Sequence, residues 1–220
     1  MNTLPTVIEL RRYRMKPGGR DELIELFERE FIETQEAVGL QILGIFREPE
    51  VPDRFTWLRG FADMPARAAG LTAFYTGPAW RAHRNAANAT MEDSDDVLLL
   101  RPSPGLPPLA PARRAEQARS WRAIVLPLAE PADAALRDWL GGHWLPTLRR
   151  AGAEDLALFE TEPAPNNFPQ LPVRTDGPVI VALAAWPLDE PVPALAALAP
   201  WLRAEPLVLK LQPTARSPRA

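Results

Sequence analysis

The stretch Thr6-Val-Ile-Glu-Leu-Arg-Arg-Tyr-Arg-Met-Lys-Pro17, continued by Gly18-Gly19-Arg20-Asp21-Glu22-Leu23, reads as a strand, a Pro-Gly turn and the first turn of a helix. Ile8 and Leu10 alternate with Val7, Glu9, Arg11 and Tyr13, the period of two that marks a strand with distinct faces. Asp21 and Glu22 then fall where a helix dipole favours acids. Leu23, Phe27 and Phe31 recur at helical spacing, with Ile24 and Leu26 widening the stripe. Gly39 closes this helix.

Working outward, Leu40 to Arg47 and Phe55 to Phe61 read as two strands of a hairpin around Pro49-Glu50-Val51-Pro52-Asp53. Asp63-Met64-Pro65 is a helix start, with an acceptor at the cap and proline in the first turn. The helical stretch from Ala66 to about Ala89 is interrupted at Gly77-Pro78, and Val97 to Leu100 is a short closing strand. The order is βαββαβ, the ferredoxin-like unit, a sheet with helices on one face only. The other face needs cover.

The same order returns after a Pro-rich connection. Trp121 to Leu128 is a strand. Ala132 to Arg150 is helical with a bend or a break at Gly141-Gly142. Leu156 to Glu160 and Val179 to Ala185 are strands, Asp189-Glu190-Pro191 repeats the helix-start pattern, Ala194 to Arg203 is a helix and Leu207 to Leu211 a last strand. The expected divisions are residues 1–101 and 120–212 as two ferredoxin-like repeats, 102–119 as a linker and 213–220 as a disordered tail. The expected fold is α+β, tandem ferredoxin-like βαββαβ repeats whose bare sheets cover each other as a dimeric α+β barrel. Closure within one chain and closure between two chains both satisfy this order.

Composition removes several function classes. The 220 residues contain no cysteine, which excludes disulfides, thiolate metal sites and cysteine nucleophiles and fits a cytoplasmic location. A net charge of −3 gives no basic field for nucleic acid or an anionic membrane. No apolar run reaches the roughly 18 residues of a membrane span. Phosphate-cradling glycine motifs and the G-x-S-x-G elbow are absent. Two histidines 60 positions apart make a poor metal site, so no metal is expected. Lysine occurs only at Lys16 and Lys210, which leaves nearly all positive charge to arginine.

The run Ile8-Glu9-Leu10-Arg11-Arg12-Tyr13-Arg14 with Lys16-Pro17-Gly18, then Gly44-Ile45-Phe46, Trp57-Leu58-Arg59-Gly60-Phe61, Arg67-Ala68-Ala69 and Pro78-Ala79-Trp80, resembles the NIPSNAP family. The segment from Asn166 to Arg174 resembles the second half of longer bacterial members. The resemblance implies a homodimer or higher homo-oligomer and a fold shared with antibiotic-biosynthesis-type and haem-degrading monooxygenases. It brings no settled activity.

Candidate site residues follow from the strand pattern. With Ile8 and Leu10 assigned to the helix side, Glu9, Arg11 and Tyr13 face the space between the two sheets. Trp57 and Arg59 share one face of their strand, which the pattern leaves undecided. These side chains and Trp80 would bind an organic, anionic or aromatic small molecule, arginine supplying a fork of donors and the rings apolar walls. The bland alternative is that Glu9 and Arg11 pair within the sheets. His83, three residues after Trp80, is the candidate catalytic acid or base, because histidine titrates near neutral pH. Arg81 and Arg84 beside it favour a surface position. His143 reads as a cap at a broken helix. Three functions stay open: a small-molecule binding protein or cofactor-independent enzyme of oxygenase or isomerase type; a haem protein with His83 as axial ligand, as the resemblance to haem-degrading relatives implies; and a non-catalytic module that only assembles.

Overall fold

The computed structural model describes residues 4–111, 119–187 and 190–219. The opening stretch forms β1 (Val7–Met15). Lys16-Pro17-Gly18-Gly19 then turns the chain, with Gly18 in the left-handed region at φ 80°. A Cβ on Gly19 would lie 2.6 Å from the Thr90 carbonyl oxygen, so the start of the first helix touches the backbone that ends the last helix of this half. That first helix runs as α1 (Gly19–Leu26), a π-helical turn Phe27–Phe31 and α2 (Ile32–Glu36). The hairpin is β2 (Gln41–Arg47) and β3 (Arg54–Phe61), with a bulge between Ile42 and Gly44. Asp63 caps α3 (Met64–Thr76) by accepting from the Ala66 N–H at 2.7 Å, and α4 (Pro78–Thr90) follows across Gly77. A three-residue strand, β4 (Met91–Asp93), precedes β5 (Val97–Pro102).

The second half has β6 (Trp121–Pro127), then α5 (Ala134–Trp139), a π-helical turn Leu140–Trp144 and α6 (Leu145–Arg150). The expected bend or break at Gly141-Gly142 takes the form of a widened turn between two α-helical segments. Strands β7 (Glu154–Thr161) and β8 (Val179–Ala185) are joined by a long irregular segment, and β9 (Leu207–Pro213) closes the half. The helix expected over Ala194 to Arg203 is only a 3-10 turn, Leu195–Trp201, with Pro200 inside it. The helix-start reading at Asp189 lies outside the described residues, as does the 112–118 part of the linker.

Strand order is β5-β1-β3-β2 in the first half and β9-β6-β8-β7 in the second. Antiparallel pairing of β2 with β9 and of β5 with β7 joins both pairs of edges, so eight strands close into a barrel within one chain. No second copy is needed to complete it. The tail expected to fray reinforces the β2–β9 seam instead. Thr214 N–H donates to the Ile45 carbonyl at 2.9 Å, Ile45 N–H to Ser217 Oγ at 3.0 Å, and Arg219 Nε to the Leu43 carbonyl at 2.9 Å. A narrow pairing of few residues leaves backbone groups that this segment satisfies. Among the described residues no helix is long and apolar enough to cross a membrane.

The barrel interior is an apolar cluster drawn from both halves, including Ile8, Leu10, Leu58, Trp121, Phe159 and Leu209. This reverses the assignment made from β1. Ile8 and Leu10 point into the barrel, while Tyr13 and Met15 pack with the helix stripe of Leu23, Phe27 and Phe31. Glu9 and Arg11, on the same face as Tyr13, lie under the helices too. Eight strands leave an interior just wide enough for side chains to fill, and a filled interior has no room for an arginine and its partners. The helix side offers polar groups that can satisfy charge.

Candidate functional site

Glu9 and Arg59 are directly opposed in the β1–β3 register, as are Arg11 and Trp57, and Tyr13 and Phe55. Glu9 is fully buried. Its Oε2 accepts from Arg11 Nη1 and Arg59 Nε, each at 2.8 Å, and its Oε1 accepts from Arg67 Nε on α3 at 2.7 Å. No other carboxylate pairs with these three arginines among the described residues, so the cluster carries three positive charges and one negative, a net +2. All three guanidinium groups are buried.

The arginines are held by neutral partners. Arg59 Nη1 donates to Gln35 Oε1 at 3.1 Å, and Gln35 Nε2 donates to the Phe31 carbonyl in the π-helical turn at 2.9 Å. Arg67 Nη1 donates to Asn166 Oδ1 at 3.0 Å and Asn167 Oδ1 at 2.7 Å, side chains of the β7–β8 segment. The Arg59 guanidinium lies 5.1 Å from the Trp57 ring centre and 5.9 Å from that of Tyr75. Such faces stabilise a desolvated cation. Arg59 Nη2 is buried without a hydrogen-bond partner. Burial alone raises the Glu9 pKa, but the charges of Arg59, Arg11 and Arg67 overcome it and hold the carboxyl well below the usual range. Glu9 is a fixed anion, unsuited to act as a base. Burial lowers the Arg67 pKa.

The open edge of this cluster forms the floor of a pocket. Arg11 Nε donates to Tyr13 Oη at 2.7 Å, which leaves the Tyr13 hydroxyl proton free to donate onward. Arg11 Nη2 makes no hydrogen bond among the described residues. Burial raises the Tyr13 pKa, so the hydroxyl keeps that proton. Arg11 and Tyr13 line a cavity of about 510 Å3 walled by Tyr75, Trp80, Met91, Phe168 and Leu171. Thr72, Thr76, Asn88, Ser94 and Gln170 form its more polar part. Phe168 stacks on Tyr75 at 5.9 Å and 30°, and Tyr75 meets Trp80 edge-on at 4.8 Å. Asn167 Nδ2 donates to the Met64 carbonyl at 2.6 Å, which pins the crossing segment to α3. The second half thus supplies one wall of a pocket in the first. A groove of about 610 Å3 lies between the start of β2, residues 109–111 and the C-terminal tail, but Arg219 there donates to the carbonyls of Leu43 and Ala110.

Of the sequence-predicted residues, Arg11, Tyr13 and Trp80 line this pocket; Glu9 and Arg59 lie behind it as the charge cluster, and Trp57 lies beside them. Glu9 and Arg11 bond each other along β1, and the cross-strand pairing of the bland reading is made by Glu9 with Arg59. His83 is not at the pocket. It is about one-third exposed, with Nε2 3.4 Å from Glu30 Oε2 and its ring against Phe31. The turn of α4 that places Trp80 inward carries His83 toward α1's continuation instead. The residue expected to move a proton or to ligate haem thus sits beside Glu30 and outside the lining of this pocket. Pattern reading gave no role to Arg67, Gln35, Tyr75 or the two asparagines. Arg67 and Asn166-Asn167 did stand in the motif stretches, which was the signal available.

Residues 8–104 match the family model NIPSNAP. A NIPSNAP-like domain protein from Burkholderia xenovorans is 26% identical, covering 52% of this chain and 100% of its own, with a TM-score of 0.43. Two solved structures align over nearly the whole chain. A candidate monooxygenase from Fusobacterium nucleatum covers 96% of this chain and 94% of its own at 8% identity and TM-score 0.63. An anthrone oxidase-like protein covers 98% and 94% at 13% identity and TM-score 0.61. At those identities the likeness is one of fold. No curated protein matches.

Proposed function

We propose that this chain, which carries a NIPSNAP domain over residues 8–104, binds a planar organic metabolite with an ionisable oxygen in the helix-side pocket and oxidises it without a built-in cofactor. One observation carries the reading: a buried net +2 cluster whose members Arg11 and Tyr13, each with a donor left unspent, line an aromatic-walled cavity. Fixed donors in a dry site stabilise an anion more than water does. A phenol or enol docked there ionises more readily, its proton leaving to solvent at the pocket mouth. The resulting electron-rich anion is the form that reacts with dioxygen. For anthrone the sum balances as anthrone plus O2 giving anthraquinone plus water. The fold shared with a candidate monooxygenase and an anthrone oxidase-like protein supports oxygenase over isomerase chemistry.

We also read the two halves as copies of one ferredoxin-like unit, supported by their common strand order. Assembly into homodimers would then serve something other than barrel closure.

The test uses oxygen uptake with anthrone and binding of 2-naphthoate followed by tryptophan fluorescence. The native protein accelerates uptake above buffer and Arg11→Met does not. Charge-assisted hydrogen bonds are worth about 1.5–3 kcal/mol, so Arg11→Met weakens 2-naphthoate about ten- to 150-fold and leaves naphthalene unaffected. Equal affinity of both proteins for 2-naphthoate would remove the anion site.

A further inference from the structure

A second, smaller space opens off the pocket. It measures about 40 Å3 and shares Tyr13, Tyr75, Trp80 and Met91 with the pocket. Its remaining wall is Leu23, Phe27, Phe31, Phe74 and Ala87, with Trp57 and Gln35. That volume admits one small molecule.

Polar partners for such a guest are few. The Gln35 amide is spent on Phe31 and Arg59. The Tyr13 oxygen already accepts from Arg11. Trp57 Nε1 is buried and has no hydrogen-bond partner. Rings and aliphatic carbon make up most of this lining, a surface that favours apolar guests over water. An orphaned indole N–H in a native core calls for an explanation. Its ring is part of the wall of a space next to the proposed anion site, with the Arg59 and Arg11 guanidinium groups 5.1 and 5.7 Å from that ring. Negative charge that develops on a small guest in that space lies in the positive field of these guanidinium groups.

We propose that this recess is a docking place for a small neutral diatomic molecule, dioxygen, held against the ligand in the adjoining pocket. The identity of the guest rests on the oxygenase reading; the recess as an apolar gas site does not. The four shared wall residues place a molecule held there beside a ligand in the pocket.

Xenon, an apolar probe of similar size, separates the two. In crystals of the native protein under xenon, an anomalous peak is expected between Phe27, Trp57 and Phe74, and it is lost in Ala87→Leu, which fills the space. With anthrone, Ala87→Leu raises the KM for O2 several-fold and leaves 2-naphthoate affinity unchanged; Ala87→Val does the same to a smaller degree and serves where the larger residue prevents folding. Xenon at the recess in a protein that consumes no O2 would uphold the gas site and overturn the oxygenase reading. An ordered water on Trp57 Nε1 with no xenon peak would overturn the recess proposal, as would an unchanged KM for O2 in an active Ala87→Leu protein.

Discussion

Glu9→Gln tests the charge cluster directly. The substitution keeps the shape of the side chain and removes the only carboxylate that pairs with Arg11, Arg59 and Arg67 among the described residues. Removing one member of a buried ion pair costs about 3–5 kcal/mol, because the remaining charge stays buried. For a chain of this size each kcal/mol lowers Tm by about 2–4 °C. The variant is therefore expected to melt roughly 6–20 °C below the native protein at pH 7.

The pH dependence gives a sharper readout. Burial raises the Glu9 pKa, the three arginines more than reverse this, and the folded value lies below the unfolded one. A carboxyl depressed in this way stabilises the fold fully above its unfolded pKa, about 4.3, and loses that contribution as pH falls toward the folded value. Melting curves of both proteins between pH 7 and 3 should show a constant gap down to about pH 4.3 and a shrinking one below it. Other carboxylates, Glu160 and Asp176 among them, titrate in both proteins and cancel in the difference. Removing the anion also leaves the cluster more positive, so 2-naphthoate should raise the Tm of Glu9→Gln by more than that of the native protein. A gap at pH 7 under about 2 °C, less than one kcal/mol, or a gap that stays flat to pH 3, would refute the argument.

Phe168→Ala removes the ring stacked on Tyr75; it should weaken 2-naphthoate and naphthalene alike by several-fold, read by fluorescence titration, since it deletes wall and not charge. Truncation after Pro213 removes the contacts of Thr214, Ser217 and Arg219 with β2; a lower Tm and new proteolytic cleavage in β2 or β9 are expected, and unchanged stability would mean that the seam stands without the tail. His83→Ala should leave anthrone oxidation and hemin absorbance as in the native protein, because the imidazole faces Glu30 and not the pocket; loss of a Soret band in the variant would restore the haem reading.

The strands and helices were legible because their signals are local. The alternation in β1, the Pro-Gly turn and the Asp63 cap each act within a few residues. Which side of β1 meets the helices was not legible, because alternation defines two faces and says nothing of what covers each. The apolar face was given to the helices on the ground that a helix layer must be dry. The closed barrel is drier still, and it claimed Ile8 and Leu10. The pairing of Glu9 with Arg67 depends on a contact across 58 residues, and that of Arg67 with Asn167 on one across 100. No window of sequence reports such distances. The 3-10 turn at Leu195–Trp201 was missed for a local reason, since Pro200 breaks a pattern rich in alanine and leucine.

The two halves share a strand order but not a division of labour. The first keeps two full helices, α3 and α4, after its hairpin, and these frame the pocket over β1. The second replaces them with one 3-10 turn. Its helix-side carboxylate, Glu160, is satisfied by Arg101, Arg137 and Ser103 at 2.6 to 3.1 Å, a net +1 with no counterpart to the three guanidiniums around Glu9. What the second half adds is the segment between β7 and β8. It leaves its own sheet, bonds Arg67 through Asn166 and Asn167, places Phe168 on Tyr75 and rejoins the first half where Arg174 N–H donates to the Val97 carbonyl at 2.8 Å. A surplus of buried positive charge is costly unless its surroundings hold it rigid. The crossing segment supplies that constraint, so the same contacts that wall the pocket also keep its charge cluster in place.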